Sequence, residues 1–199
     1  MLEKIIDGMI ETQIRNHVLK QEDANIYRYG YMLVYEMILN IVIAFMIGLL
    51  LKSLGIVISF LLFFIPLRSF CGGWHADKIW KCTVISNVFL ILAVILEKHL
   101  VVQINIYLLM LIFFAAVIMI LPMAPVETKN KKISREEKVI YRKKICVIIA
   151  LHTIIIIVLS FFNLRHYIFT EVFAYVTQML FLIFEKINIC ALKIKIKNH

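Results

Sequence analysis

The fifteen residues Arg68-Ser-Phe-Cys-Gly-Gly-Trp-His-Ala-Asp-Lys-Ile-Trp-Lys-Cys82 hold the densest set of reactive side chains in the chain. His75 and Cys82 are a candidate base and nucleophile, because a thiol is mostly protonated at neutral pH and an adjacent imidazole can produce the reactive thiolate. Seven residues apart on one continuous helix, they would share a face but stand about 10 Å apart along the axis, too far to hydrogen-bond. Contact therefore needs a break, such as a turn around His75 leading into a helix that begins near Cys82. Gly72-Gly73 can bend the chain and admit a substrate backbone closely, and their N–H groups can stabilise an oxyanion. Spacing by itself leaves a plainer reading open, a polar interfacial loop with an unrelated His and Cys. A zinc site built from Cys71, His75, Asp77 and Cys82 is weaker still, since neither a recognised ligand spacing nor an HExxH pattern is present. No metal and no cofactor are expected.

The elements that must position this segment are membrane spans. The 199 residues are 62% hydrophobic, and the mean hydropathy of +0.91 makes the bilayer the expected solvent. Apolar runs cover Tyr31–Leu51, Leu54–Leu67, Thr83–Leu96, Asn105–Leu121, Ile145–Phe162 and Tyr167–Phe184. Crossing the hydrocarbon core takes about 20 helical residues, so the second and third runs must borrow flanking residues, thin the bilayer or partly re-enter it. Re-entry would leave Arg68, Asp77, Lys78 and Lys81 inside the membrane at several kcal/mol each, which favours six true spans. Pro66 is read as ending the second run, with Pro122 and Pro125 closing the fourth. The fold class is thus all-α, a polytopic membrane protein of about six transmembrane helices. It is preceded by an amphipathic helix in which Leu2, Ile5, Ile6, Met9, Ile10, Ile14 and Val18 recur at three- and four-residue spacing. That stripe suits the membrane surface or a packing partner equally. One integral membrane domain, 1–199, is expected: a surface helix over 1–29, a transmembrane core over 30–184 and a basic tail over 185–199. No internal repeat or low-complexity linker is visible.

Charge sets the orientation. Of 22 Lys and Arg, all but Lys52, Lys98 and Arg165 fall in the N-terminal arm, the 68–82 loop, the 123–144 loop and the tail. Positive loops stay on the cytoplasmic side, so both termini and the 68–82 loop should face the cytosol, in a multi-pass protein of the cell membrane. The net charge of +9 does not imply a nucleic-acid partner, because no soluble basic domain is there to bind one; anionic lipid or an acidic peptide fits better. Residues 1–29 are too polar for the core of a cleavable signal. Cys71, Cys82, Cys146 and Cys190 form no CxxC pair and have no extramembrane domain to staple.

Arg68, Gly72-Gly73-x-His75 and Cys82 match the R-x-x-x-G-G-x-H-x(6)-C pattern of the accessory gene regulator B (AgrB) family. The chain resembles that family throughout: its length, six spans, the N-terminal helix, and a basic loop with an upstream proline between the fourth and fifth spans. The resemblance implies a membrane-embedded cysteine endopeptidase of Gram-positive quorum sensing, which cleaves an AgrD-like propeptide and helps to form a cyclic thiolactone or lactone. Carried over, His75 is the base, Cys82 the nucleophile, and Arg68 and Gly73 are motif positions whose loss should impair processing. One departure is Cys71, where the family commonly has Ala; it puts the identity of the nucleophile in question, though an inert small residue is the better reading.

Other positions carry alternatives. Lys131-Lys132 resembles a basic pair that this family uses in processing and would capture an acidic propeptide tail, although topology signalling alone would also place these charges. Glu36, one turn from Asn40 in the first span, is a candidate partner for His75 or Arg68, against a structural helix–helix contact. His152, Thr170, Glu171 and Gln178 are expected to make interhelical hydrogen bonds, and His17, His99 and His166 to be solvated or interfacial. The partners expected are the propeptide, the lipid bilayer and a second copy in a homodimer. The rival functions are a peptide exporter, which would need an aqueous path lined by several spans, and a non-catalytic membrane assembly subunit.

Overall fold

The computed structural model describes residues 2–73, 79–126 and 134–197, without the side chains of a few of them, Cys82 included. The described residues form α-helices α1 (Leu2–Arg15), α2 (Ala24–Leu50), α3 (Leu54–Cys71), α4 (Ile79–Leu100), α5 (Ile106–Met123), α6 (Arg135–Phe161) and α7 (Arg165–Lys197), with one turn of 3-10 helix at Gln21–Asp23 and no strand among them. Six of these helices, α2 to α7, are long and apolar enough to cross a membrane. The all-α, six-span expectation therefore holds.

The two short runs reach spanning length by borrowing flanking residues. Helix α3 takes in Arg68–Cys71 to reach 18 residues, and α4 starts at Ile79 and ends at Leu100. Pro66 does not end its helix as expected: α3 continues five residues beyond it. Proline fits helical φ and removes one backbone donor, a loss that membrane helices tolerate when neighbouring groups pack around it. A second correction concerns the basic loop, which is helical from Arg135 onward. Ser134 caps α6 in a capping box with Glu137, worth about 1 kcal/mol, so five of the eight basic residues of 123–144 sit on the first turns of α6. Likewise α7 carries the chain into its basic tail, to Lys197.

The chain divides into two compact units, Met1–Ala44 and Phe45–His199, with the boundary inside α2. In the first, Ile6 and Ile10 of the amphipathic stripe are buried with Leu19 and packed on by Ile14, Tyr31 and Met32, while Ile5, Met9 and Val18 stay exposed. Gln13 Nε2 donates to Tyr31 Oη at 2.6 Å, and Arg28 pairs with Asp7. Packing thus accounts for half of the stripe and leaves the other half for lipid or a partner.

In the second unit α7 is the axis: α3, α4, α5 and α6 all pack against it. Its Ile168, Tyr175 and Leu182 join Leu67 of α3, Phe113 of α5 and Ile156 of α6 in one buried cluster. At the opposite end from the 68–82 loop, Glu97 of α4 pairs with His166 of α7, and Lys98 Nζ donates to the Leu51 carbonyl at 2.7 Å.

Candidate active site

The last turn of α3 delivers Arg68 and Cys71 to the glycine pair. Gly72 caps that helix with φ +70 and ψ −149, and Gly73 follows at φ +123. Both lie where side chains are disfavoured, and space forbids them as well. A Cβ on Gly72 would stand 2.7 Å from the Val126 carbonyl oxygen, and one on Gly73 would run into the Arg68 guanidinium. The sequence reading gave these glycines a bend in the chain; the structure has a turn there, tightly surrounded by Val126 and Arg68.

Three elements grip that turn. From α3, Arg68 Nη1 donates to the Gly72 carbonyl at 2.9 Å. From α7, Gln178 Nε2 donates to the same oxygen at 2.8 Å. After α5, Val126 N–H donates to the Cys71 carbonyl at 3.0 Å. The guanidinium also lies 4.8 Å from the centroid of the Phe181 ring, a cation–π contact. Phe181 in turn meets Phe64 of α3 and Phe89 of α4 edge-on or tilted, at 6.0 and 5.1 Å between centroids. From α6, Tyr141 packs on the Phe70 ring and Lys144 Nζ sits 4.8 Å above it.

Arg68, Gly72 and Gly73 are thus brought together. Cys71 is fully buried beside them, as a small packing residue would be. Cys82 falls in the first turn of α4, with its side chain outside the described residues, and His75, Lys131 and Lys132 also lie outside them. Glu36 belongs to the first unit; its backbone carbonyl accepts from Asn40 Nδ2 at 2.9 Å.

Further along the core, His152 Nδ1 and Tyr175 Oη are 3.0 Å apart between α6 and α7, the interhelical bond expected of His152. Thr170 instead bonds within its own helix, to the His166 carbonyl. Both carboxyl oxygens of Glu171 are buried without a hydrogen-bond partner among the described residues. His166, expected to be solvated or interfacial, is exposed and bonded to buried Glu97. Gln178 makes the bond to another element expected of it, from α7 to the turn that ends α3, though the sequence named no target; the available signal was only that an amide in a span needs a partner.

The fold and the turn define a class: a six-span helical membrane protein in which a half-buried guanidinium and a buried amide converge on the carbonyl of a glycine pair. The family model for Accessory gene regulator B matches residues 3–185, and the chain belongs to that family. It is 27% identical over 142 residues to an AgrB-like protein of Clostridium perfringens (strain SM101 / Type A), a similarity covering 69% of this chain and 65% of that relative's length. No solved structure gives a significant match.

Proposed function

We propose that the protein is a membrane cysteine endopeptidase of an agr-type quorum-sensing system, acting on an AgrD-like propeptide from the cytosolic face of the cell membrane. The observation that carries this reading is the family match over residues 3–185, which includes every position of the Arg68, Gly72-Gly73-x-His75, Cys82 pattern. The gripped glycine turn supports it, because a reacting pair needs a rigid mount within a few tenths of an ångström.

In this reading His75 takes the thiol proton of Cys82, and the thiolate attacks the scissile carbonyl carbon. As the tetrahedral adduct collapses, the C–N bond breaks and His75 returns the proton to the leaving amine, leaving a thioester on Cys82. A Cys or Ser side chain of the propeptide then attacks that thioester, loses its proton to His75 and closes the ring, releasing the Cys82 thiolate. Excluding water from the site favours ring closure over hydrolysis. Lys131 and Lys132 hold the acidic propeptide tail by charge, a contact that salt would screen.

Trapping the intermediate tests this. With the propeptide's acceptor residue mutated, a hydroxylamine-sensitive propeptide–enzyme adduct should accumulate and map to Cys82. Cys82→Ala should abolish cleavage, and His75→Ala should leave at most a residual rate that rises with pH as more thiol ionises unaided. An adduct mapping to Cys71 would move the nucleophile. Undiminished cleavage by both Cys82→Ala and His75→Ala would remove the protease reading itself.

A further inference from the structure

Gln178 lies on α7, 106 residues along the chain from the carbonyl that it holds. Its side chain is fully buried. Since the Gly72 carbonyl can only accept, the orientation of the Gln178 amide is set: Nε2 faces Gly72. The other amide atom, Oε1, is buried with no hydrogen-bond partner among the described residues. An amide placed in a span merely to join two helices would be expected to use both ends. Here it spends its donor on one peptide unit, the one linking Gly72 to Gly73, and His75 follows two residues later.

That peptide unit is held by two donors from different helices. A carbonyl oxygen has two lone pairs, and Arg68 and Gln178 both donate to this one. Arg68 comes from the helix that the turn itself terminates and reaches α7 through the face of the Phe181 ring, whereas the Gln178 bond is a direct tie from α7 to the turn. Gln178 comes from the helix against which α3, α4, α5 and α6 all pack. The positive φ at both glycines is open to glycine without strain, so it is these contacts, and not backbone preference, that select one geometry for the turn.

We propose that Gln178 is a positioning residue for the reaction: with Arg68 it fixes the Gly72 carbonyl, and so sets the direction in which the chain leaves α3 for His75. This rests on the endopeptidase reading above. Gln178 touches no reacting atom in it, and acts through the turn.

The test compares Gln178→Met, Gln178→Glu and Thr177→Ala in membranes, each normalised to inserted protein, with propeptide cleavage resolved into kcat and KM. Methionine keeps the length and volume but offers no donor; glutamate keeps the shape and, assayed at a pH where it is ionised, presents only acceptors. Thr177, whose hydroxyl bonds to its own helix at the Phe173 carbonyl, should tolerate alanine at wild-type rate. A displacement of about 1 Å at a reacting group costs on the order of 100-fold, so kcat should fall 10- to 100-fold in both Gln178 variants, with KM unchanged within twofold. Formation of the Cys82 adduct should slow by the same factor. If one Gln178 variant fails to insert, the other decides. Wild-type kcat in an inserted Gln178 variant, or a loss carried wholly by KM, overturns the proposal while leaving the endopeptidase reading in place. That reading, and this inference with it, is overturned instead if Cys82→Ala and His75→Ala both cleave undiminished.

Discussion

Helices α5 and α7 both qualify as membrane spans, yet they solve opposite problems. Helix α5, IYLLMLIFFAAVIMILPM, carries no charged side chain, and only 28% of its apolar window is buried in the protein. Helix α7 carries Thr170, Glu171, Thr177, Gln178 and Glu185 along its length, and 61% of its window is buried. In water the more apolar helix would be the inner one. In lipid the order reverses, because hydrocarbon solvates leucine as well as a core does but offers nothing to an amide or a carboxyl. On α5 the buried residues Leu109, Phe113, Ala116, Val117 and Ile120 make one face, while Leu111, Phe114 and Ile118 look outward. Helix α7 has no such outer face over Ile168–Leu182, and that is why it can supply the donor that holds the glycine turn.

The contrast breaks most visibly by truncation. Tyr175 is fully buried, its ring 4.6 Å from that of Phe113, and Tyr175→Ala should cost about 3–5 kcal/mol. Leu111, at 66% exposure on α5, should lose less than about 0.5 kcal/mol as alanine. Unfolding in mixed detergent micelles measures both, and equal costs would refute the assignment of an inner and an outer helix.

A smaller effect should follow from Tyr175→Phe, which keeps the ring and leaves His152 Nδ1 without the hydroxyl 3.0 Å away. The expected loss is about 1–3 kcal/mol in the same assay, the cost of an orphaned buried polar atom. The smallest change should have the opposite sign. Glu171 has no hydrogen-bond partner among the described residues, so Glu171→Met removes a polar group without orphaning another. It should leave stability unchanged or raise it by about 1 kcal/mol. A loss of several kcal/mol would mean that the carboxyl has a partner beyond those residues.

What could be read from the sequence follows the same division. Span number came through because an apolar run of spanning length announces itself locally. Helix ends came through less well: α3 outruns Pro66 and α6 begins at Arg135, since a proline and a run of charges are weaker stops than the packing of Phe70 against Tyr141 and Lys144. The pairing of Gln178 with Gly72 was invisible, because nothing local to either residue names the other across 106 positions. Gly72 and Gly73 were recognised as a place where the chain can bend, but nothing in the sequence showed that Val126 and Arg68 leave no room there for a Cβ. The sequence already favoured an inert small residue at Cys71, and its complete burial agrees with a packing role.

The hydrogen bond from Val126 to Cys71 also acts as a leash. Lys131 is five residues beyond Val126, and extended chain covers at most about 3.6 Å per residue, so its backbone stays within about 18 Å of an anchor point on the glycine turn. A propeptide tail docked at Lys131 and Lys132 would be confined to that radius, and cleavage would become a search within a small sphere, at millimolar effective concentration. Lengthening the segment between Val126 and Lys131 would dilute the substrate at the turn without altering one atom of it.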